Sequence, residues 1–259
     1  MLPKNTSMIV NYKDNGWEVI TQRSHGILAA QIAAHWKVKA RPARWTETVL
    51  AIAEHDDAES ELDGENLLTP TGGPLNFSMK NFELAHCQKL SSLTLTKSRY
   101  VALLTSLHMD FLYRKDAAED TEARAFLADQ KKLREGWRKA LGLSAEEVKK
   151  IYSLLEWCDA LSLLLCQGQL QPEKRDTEIS TGPDGLLYHL RQISENSLTI
   201  HPWPFEEKSF TLYFEYRLVR QLQFQNSAGF REAFLKAPVT ETVWEMTKTE
   251  APKKRPAKS

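Results

Sequence analysis

The stretch "LSAEEVKKIYSLLEWCDALSLLLC", residues 143–166, constrains the fold more than any other. Ser144 followed by Glu147 forms a capping box, which satisfies amide donors that a helix start leaves open. The second half is apolar nearly all round, and such a helix must be covered on every side. The rest of the chain therefore has to wrap around it. Asp159 resists that placement. An ionised carboxylate buried without a partner costs several kcal/mol or takes up a proton. It needs a cation, such as a metal ion or an arginine, or else a solvent-filled groove.

The other segments read as follows. "MIVNYKDNGWEVIT" carries an Asn-Gly turn signal and predicts a hairpin with strands near 8–12 and 17–21. Ile27, Leu28, Ile32 and Trp36 recur at helical spacing, and Trp45, Val49 and Ile52 repeat the pattern over 44–56. Residues 78–92, 98–114 and a charged amphipathic run ending at Gly142 predict three more helices. The long loop "DGENLLTPTGGPLNF" could act as a lid or a substrate wall. From about 180 the pattern turns to strands: "NSLTIHPWPF", "KSFTLYFEYRLV" and "ETVWEMT".

The expected fold is mainly α. A helical bundle is flanked by a small antiparallel β-sheet, built from the N-terminal hairpin and the C-terminal strands. With no repeat and no clear linker, a single domain is expected over 1–247, its helical core near 20–166. The Pro- and Lys-rich end, 248–259, reads as a disordered tail.

Charge and composition narrow the function. The 34 Lys and Arg balance 34 Asp and Glu, so no nucleic-acid or acidic-membrane partner is expected. The longest apolar stretch falls well short of the roughly 20 residues that span a bilayer. The N-terminus has no charged region followed by a long apolar run. Three cysteines, Cys87, Cys158 and Cys166, form no CxxC pair and suit neither a disulfide framework nor a thiolate zinc site. A cytoplasmic protein with buried, reduced thiols is expected. No P-loop, Rossmann, zincin or serine-hydrolase motif occurs.

The histidines carry the functional signal. A single histidine on an apolar helix face is usually a hydrogen-bonded core residue. The order, however, is His25, then His55-Asp56, then His86, then His108, then Asp159, each on its own predicted helix. Four histidines converging with two carboxylates would supply the cation that Asp159 needs as a metal pair. Neutral imidazoles and carboxylates suit Fe, Mn, Zn or similar ions.

This ordered set resembles the HD-domain superfamily of metal-dependent enzymes, in particular its dinuclear subset, and within it an uncharacterised bacterial family of HD-like proteins. The likeness covers about residues 20–166. It implies that His25, His55 and Asp159 bind one metal, that His86 and His108 bind the other, and that Asp56 bridges them. The pair continues "HDDAESELD", without the Gly and Lys of the cyclic-dinucleotide phosphodiesterase branch. Asp57, Glu59 and Asp63 read as a solvated acidic loop.

Two chemistries share such a ligand set. One is phosphohydrolase or phosphodiesterase action, in which two divalent metals activate water for attack on a phosphate ester, with His55 and Asp56 at the catalytic centre. Arg23, Arg99, Arg114 and Lys115 are the candidate cations for the substrate's charge. The other is a mixed-valent diiron oxygenase. A non-catalytic module that binds a metal or a ligand is a third alternative. The expected partner is a small phosphorylated molecule, and the C-terminal strands could also serve a homodimer.

Overall fold

The Asn-Gly signal produces its hairpin. In the computed structural model, which describes residues 8–57, 62, 66–79 and 82–249, β1 (Ile9–Lys13) pairs antiparallel with β2 (Gly16–Ile20). Seven helices follow: α1 (Gln22–Ala34), α2 (Trp45–Ala53), α3 (Leu84–Lys97), α4 (Arg99–Tyr113), the short α5 (Asp116–Glu119), α6 (Thr121–Ala140) and α7 (Ala145–Cys166). Side chains cap four of them. Thr21, Ser98 and Asp120 accept first-turn amides of α1, α4 and α6, and both halves of the Ser144–Glu147 box form at α7.

As expected, α7 is central. Leu154, Leu155, Trp157, Cys158, Leu161 and Leu165 are each 2% exposed or less. Helices α1, α2 and α4 pack against α7 and share one apolar core with it. Helix α3 instead packs on α4 and α6, around Cys87, Leu90, Met109 and Phe126. One glycine sets the fit of α1 against α2. A Cβ built on Gly26 would lie 2.2 Å from the carbonyl oxygen of Ala53, so only glycine lets the helices approach so closely. This contact lies one residue from His25 and two from His55.

The sheet corrects the expected fold class. It is neither small nor purely antiparallel. Strands β3 (Thr177–Thr181), β4 (Leu187–Ser194), β5 (Ser197–His201), β6 (Ser209–Val219) and β7 (Val239–Thr247) join the hairpin in one seven-stranded sheet, with α8 (Ser227–Lys236) between β6 and β7. The strand order is β1-β2-β6-β7-β5-β4-β3, and β5 runs parallel to β7. Helices take 48% of the chain and strands 24%, so the sheet is a full, curled layer against which the helices pack. The architecture is α+β rather than a helical bundle with an appendage.

The physical reason for the difference is non-local pairing. Strand β6 shows a readable alternation, with Leu212 and Phe214 buried and Tyr213 exposed between them. Strands β3 and β4 flank the turn around Pro183-Asp184-Gly185 and bury few residues, chiefly Tyr188 and Leu190. The parallel β5–β7 contact joins residues 48 apart, as in Ser197 opposite Glu245, and no local pattern encodes such a partner.

Other expectations resolve in place. The three cysteines are buried and free. The described part of the long loop is fastened to β1 and α8: Asn76 Nδ2 donates to Val10 O, Leu67 N to Ser227 Oγ, and Leu67 is fully buried. Trp203 and Phe205 pack in the core with Trp36, Trp157 and Phe210. Of the expected tail, Lys248 and Thr249 are tied to Lys208 and His201, and residues 250–259 lie outside the described residues. No helix among the described residues is long and apolar enough to cross a membrane.

The Gly26 contact yields a prediction. Gly26→Ala should destabilise the protein by about 1–3 kcal/mol through overpacking against backbone. The shift of the urea midpoint measures it. A variant as stable as wild type would contradict the close approach.

Candidate metal centre

Five of the six expected ligands meet. His25 lies in the first turn of α1, while His55 and Asp56 follow the end of α2. His108 lies on α4 and Asp159 on α7. The Nε2 atoms of His25 and His55 are 3.3 Å apart. Asp159 Oδ1 stands 3.0 Å from His25 Nε2 and 3.3 Å from His55 Nε2. Asp56 Oδ2 is 3.5 Å from His55 Nε2, while its Oδ1 faces His108 Nε2 at 3.7 Å. Donors held about 2.0–2.2 Å from one ion stand about 3.0–3.5 Å from each other. That spacing suits a metal ion, and the donors fall in two overlapping groups, one of His25, His55 and Asp56 and one of His55, His108 and Asp159.

The far sides of the rings decide what the near sides offer. Ser162 Oγ donates to the Asp159 carbonyl, so it accepts from His25 Nδ1–H at 3.0 Å. His55 Nδ1–H donates to the Ile52 carbonyl at 2.7 Å, an acceptor that the end of α2 leaves open. In a neutral ring with Nδ1 protonated, Nε2 carries a lone pair. A neutral His25 would thus aim a lone pair at the carboxylate of Asp159, and a cation between the two would satisfy both. His108 Nδ1 lies 3.5 Å from the Tyr152 hydroxyl, and its buried Nε2 has no hydrogen-bond partner among the described residues. Acceptors facing acceptors in an apolar interior repel unless a cation lies between them.

Protonation can relieve this only in part. Burial alone would lower the pKa of His55, but the charges of Asp56 and Asp159 raise it to about 9. Burial would raise both carboxyls, yet the His55 charge holds Asp56 below the usual carboxylate range and Asp159 well below it. His108 is pushed down, by burial first and the His55 charge second. A protonated His55 offers one Nε2–H to three neighbours: Asp159, Asp56 and His25. Two carboxylates face the one charge of His55, and a metal cation would complete the cluster.

The remaining candidates fall elsewhere. His86 is half-buried on α3 and belongs to neither group of converging donors among the described residues. A second ion would therefore draw on His108 and the Oδ1 side of Asp56. Arg23 bonds Asp57 at 2.9 Å, which places a half-exposed guanidinium beside the His55-Asp56 pair. Asp57 thus positions a cation. Arg114 is bonded to Asp110 and largely exposed. Arg99 opens α4, about 13 Å of helix from His108. Lys115 is an exposed residue between α4 and α5. Glu59 and Asp63 lie outside the described residues.

The imidazole side chains are 0–1% exposed and that of Asp159 10%, whereas that of Asp56 is 25% exposed. Asp56 is therefore the face the cluster turns to solvent. Sequence reasoning missed Ser162 and Tyr152. Both had a signal: Ser162 is three residues after Asp159 and Tyr152 seven before it, so all three share one face of α7.

The profile of one protein family, described as "Protein of unknown function (DUF3891)", matches residues 8–221. A search of curated proteins and of solved structures found no match.

Two predictions follow from the imidazole contacts. Below about pH 9 the metal-free His55 holds a proton that an ion must displace. Metal titration at pH 7 should release about one proton per ion, seen as a binding heat that varies with buffer ionisation enthalpy, and affinity should rise with pH toward 9. Heats independent of the buffer would contradict it. Ser162→Ala removes the partner of His25 Nδ1 and should weaken metal binding about 10–100-fold. Unchanged affinity would show that this contact plays no part.

Proposed function

We propose that this chain, which belongs to the DUF3891 family, is a metal-dependent hydrolase of phosphate esters. One observation carries the reading. The Nε2 atoms of His25 and His55 and the carboxylates of Asp56 and Asp159 converge, with both imidazoles oriented from behind by Ser162 and the Ile52 carbonyl. The order His25, His55-Asp56, Asp159 is also the ligand order of the HD-domain superfamily, and the proposal includes that kinship of sites.

His25, His55, Asp56 and Asp159 would hold the ion, with His108 the fifth donor at the side of Asp56. When bound, the metal would act as a Lewis acid toward phosphate oxygens and lower the pKa of a water molecule. The chain's own residues do the rest. Asp159 and His25 form the closed back wall, which keeps the site dry and strengthens electrostatic interactions within it. Asp56, open to solvent, faces the arriving substrate and can accept a hydrogen bond from the attacking water. Arg23, braced by Asp57, meets an oxygen of the anionic ester and orients it.

The test combines metal content with turnover. Wild-type protein, purified and reconstituted with Mn(II) or Fe(II), should hold at least one ion per chain and hydrolyse bis(p-nitrophenyl) phosphate or p-nitrophenyl phosphate. His55→Ala and Asp56→Ala should lose both properties. Arg23→Ala should keep the metal and raise KM about tenfold, the loss of one charge-assisted hydrogen bond. Metal-loaded protein that cleaves neither ester would overturn the hydrolase reading. Oxygen consumption with an Fe(II)/Fe(III) signal would replace it with an oxygenase.

A further inference from the structure

At the other end of the same helices lies a cavity of about 700 Å³, within the range of small-molecule pockets. It is separate from the imidazole cluster. Its lining on α4 is Tyr100, about 12 Å of helix from His108, and on α7 it reaches Leu154, about 7 Å of helix from Asp159. Trp36, Tyr100, Tyr188 and Leu154 form its floor, each at most 3% exposed. Three of the four are aromatic and fixed by core packing, so the floor is rigid and apolar, with Arg44 lying over the Tyr100 ring.

The rim is cationic in a chain with no net charge. Lys37, Lys39, Arg41, Arg44 and Lys150 line the cavity against two acids, Glu147 and Asp184; Arg44 is paired with Glu47 and Lys150 with Glu146, which leaves Lys37, Lys39 and Arg41. The way these cations are held matters more than their number. Lys37 Nζ donates to the Trp203 carbonyl. Arg41 donates to the carbonyls of Trp36 and Ala34 and lies over the Trp45 ring. Both side chains are thus oriented by neutral groups, and neither meets a carboxylate among the described residues. Lys39 forms no ion pair among them either. The Glu147 carboxylate is occupied in the α7 capping box, and Asp184 accepts from the Tyr188 hydroxyl. Beside them, α2 starts at Trp45 with no side chain capping its amides, and its dipole adds positive potential.

We propose that this cavity is a second binding site, for a small molecule that joins a flat aromatic body to an anionic group such as a sulfonate, carboxylate or phosphate. The aromatic body lies on Trp36, Tyr100 and Tyr188. The anionic group meets Lys37, Lys39 and Arg41. The inference stands independently of the metal centre.

The probe is 8-anilinonaphthalene-1-sulfonate, titrated into the full-length protein by fluorescence, with uncharged N-phenyl-1-naphthylamine as its comparison. Saturable binding near one equivalent is expected, with the uncharged analogue at least tenfold weaker. Lys37→Gln/Lys39→Glu should weaken the sulfonate at least tenfold while leaving metal content unchanged. Should that variant fail to fold, Lys39→Glu/Lys150→Glu, altered only at exposed rim positions, should still weaken it severalfold. The proposal is overturned by non-saturable binding, by equal affinity for both probes, or by a folded variant that binds as wild type does.

Discussion

The structure turns on one electrostatic conflict. Asp159 sits in the apolar second half of the central helix α7, and His25 Nε2 faces it from 3.0 Å. Neither group can move far. Asp159 is fixed by the packing of α7, and His25 by Ser162, which α7 also supplies. The Gly26–Ala53 contact brings His55 against the same pair. Three helices thus press two carboxylates and their imidazole neighbours together, and the charge on His55 is shared between both carboxylates. A fold tolerates such an arrangement when a cation completes it.

The position of His55 gains a physical explanation from this. A helix end leaves carbonyls without partners, and His55 uses its Nδ1–H to satisfy one of them at Ile52. The same bond turns Nε2 inward as a donor atom. The acids that follow divide their work. Asp56 joins the cluster, whereas Asp57 bonds Arg23. The acidic stretch is therefore more than a solvated helix terminus, at least through Asp57.

Much of this was legible in the sequence, and the remainder was hidden for definite reasons. The hairpin, the capping box and the buried α7 follow from local patterns that bind neighbours in sequence. The convergence of the histidines with Asp56 and Asp159 was legible because Asp159 is out of place in an apolar helix. His86 was not excluded by sequence, since helical spacing alone cannot reveal that α3 packs on α4 and α6 rather than on α1 and α2. The extent of the sheet was hidden because β3 and β4 bury little and the parallel β5–β7 contact is remote in sequence. Ser162 and Tyr152 could have been found, because both repeat at helical spacing with Asp159.

The most direct measurement is anomalous diffraction from crystals of the protein grown with Mn(II) or Zn(II), collected at the metal's absorption edge. A peak is predicted between the Nε2 atoms of His25 and His55 and the carboxylates of Asp56 and Asp159, with bonds of about 2.0–2.2 Å. Crystals in which these four side chains surround no peak, or in which the ion is held by other residues, would contradict the account.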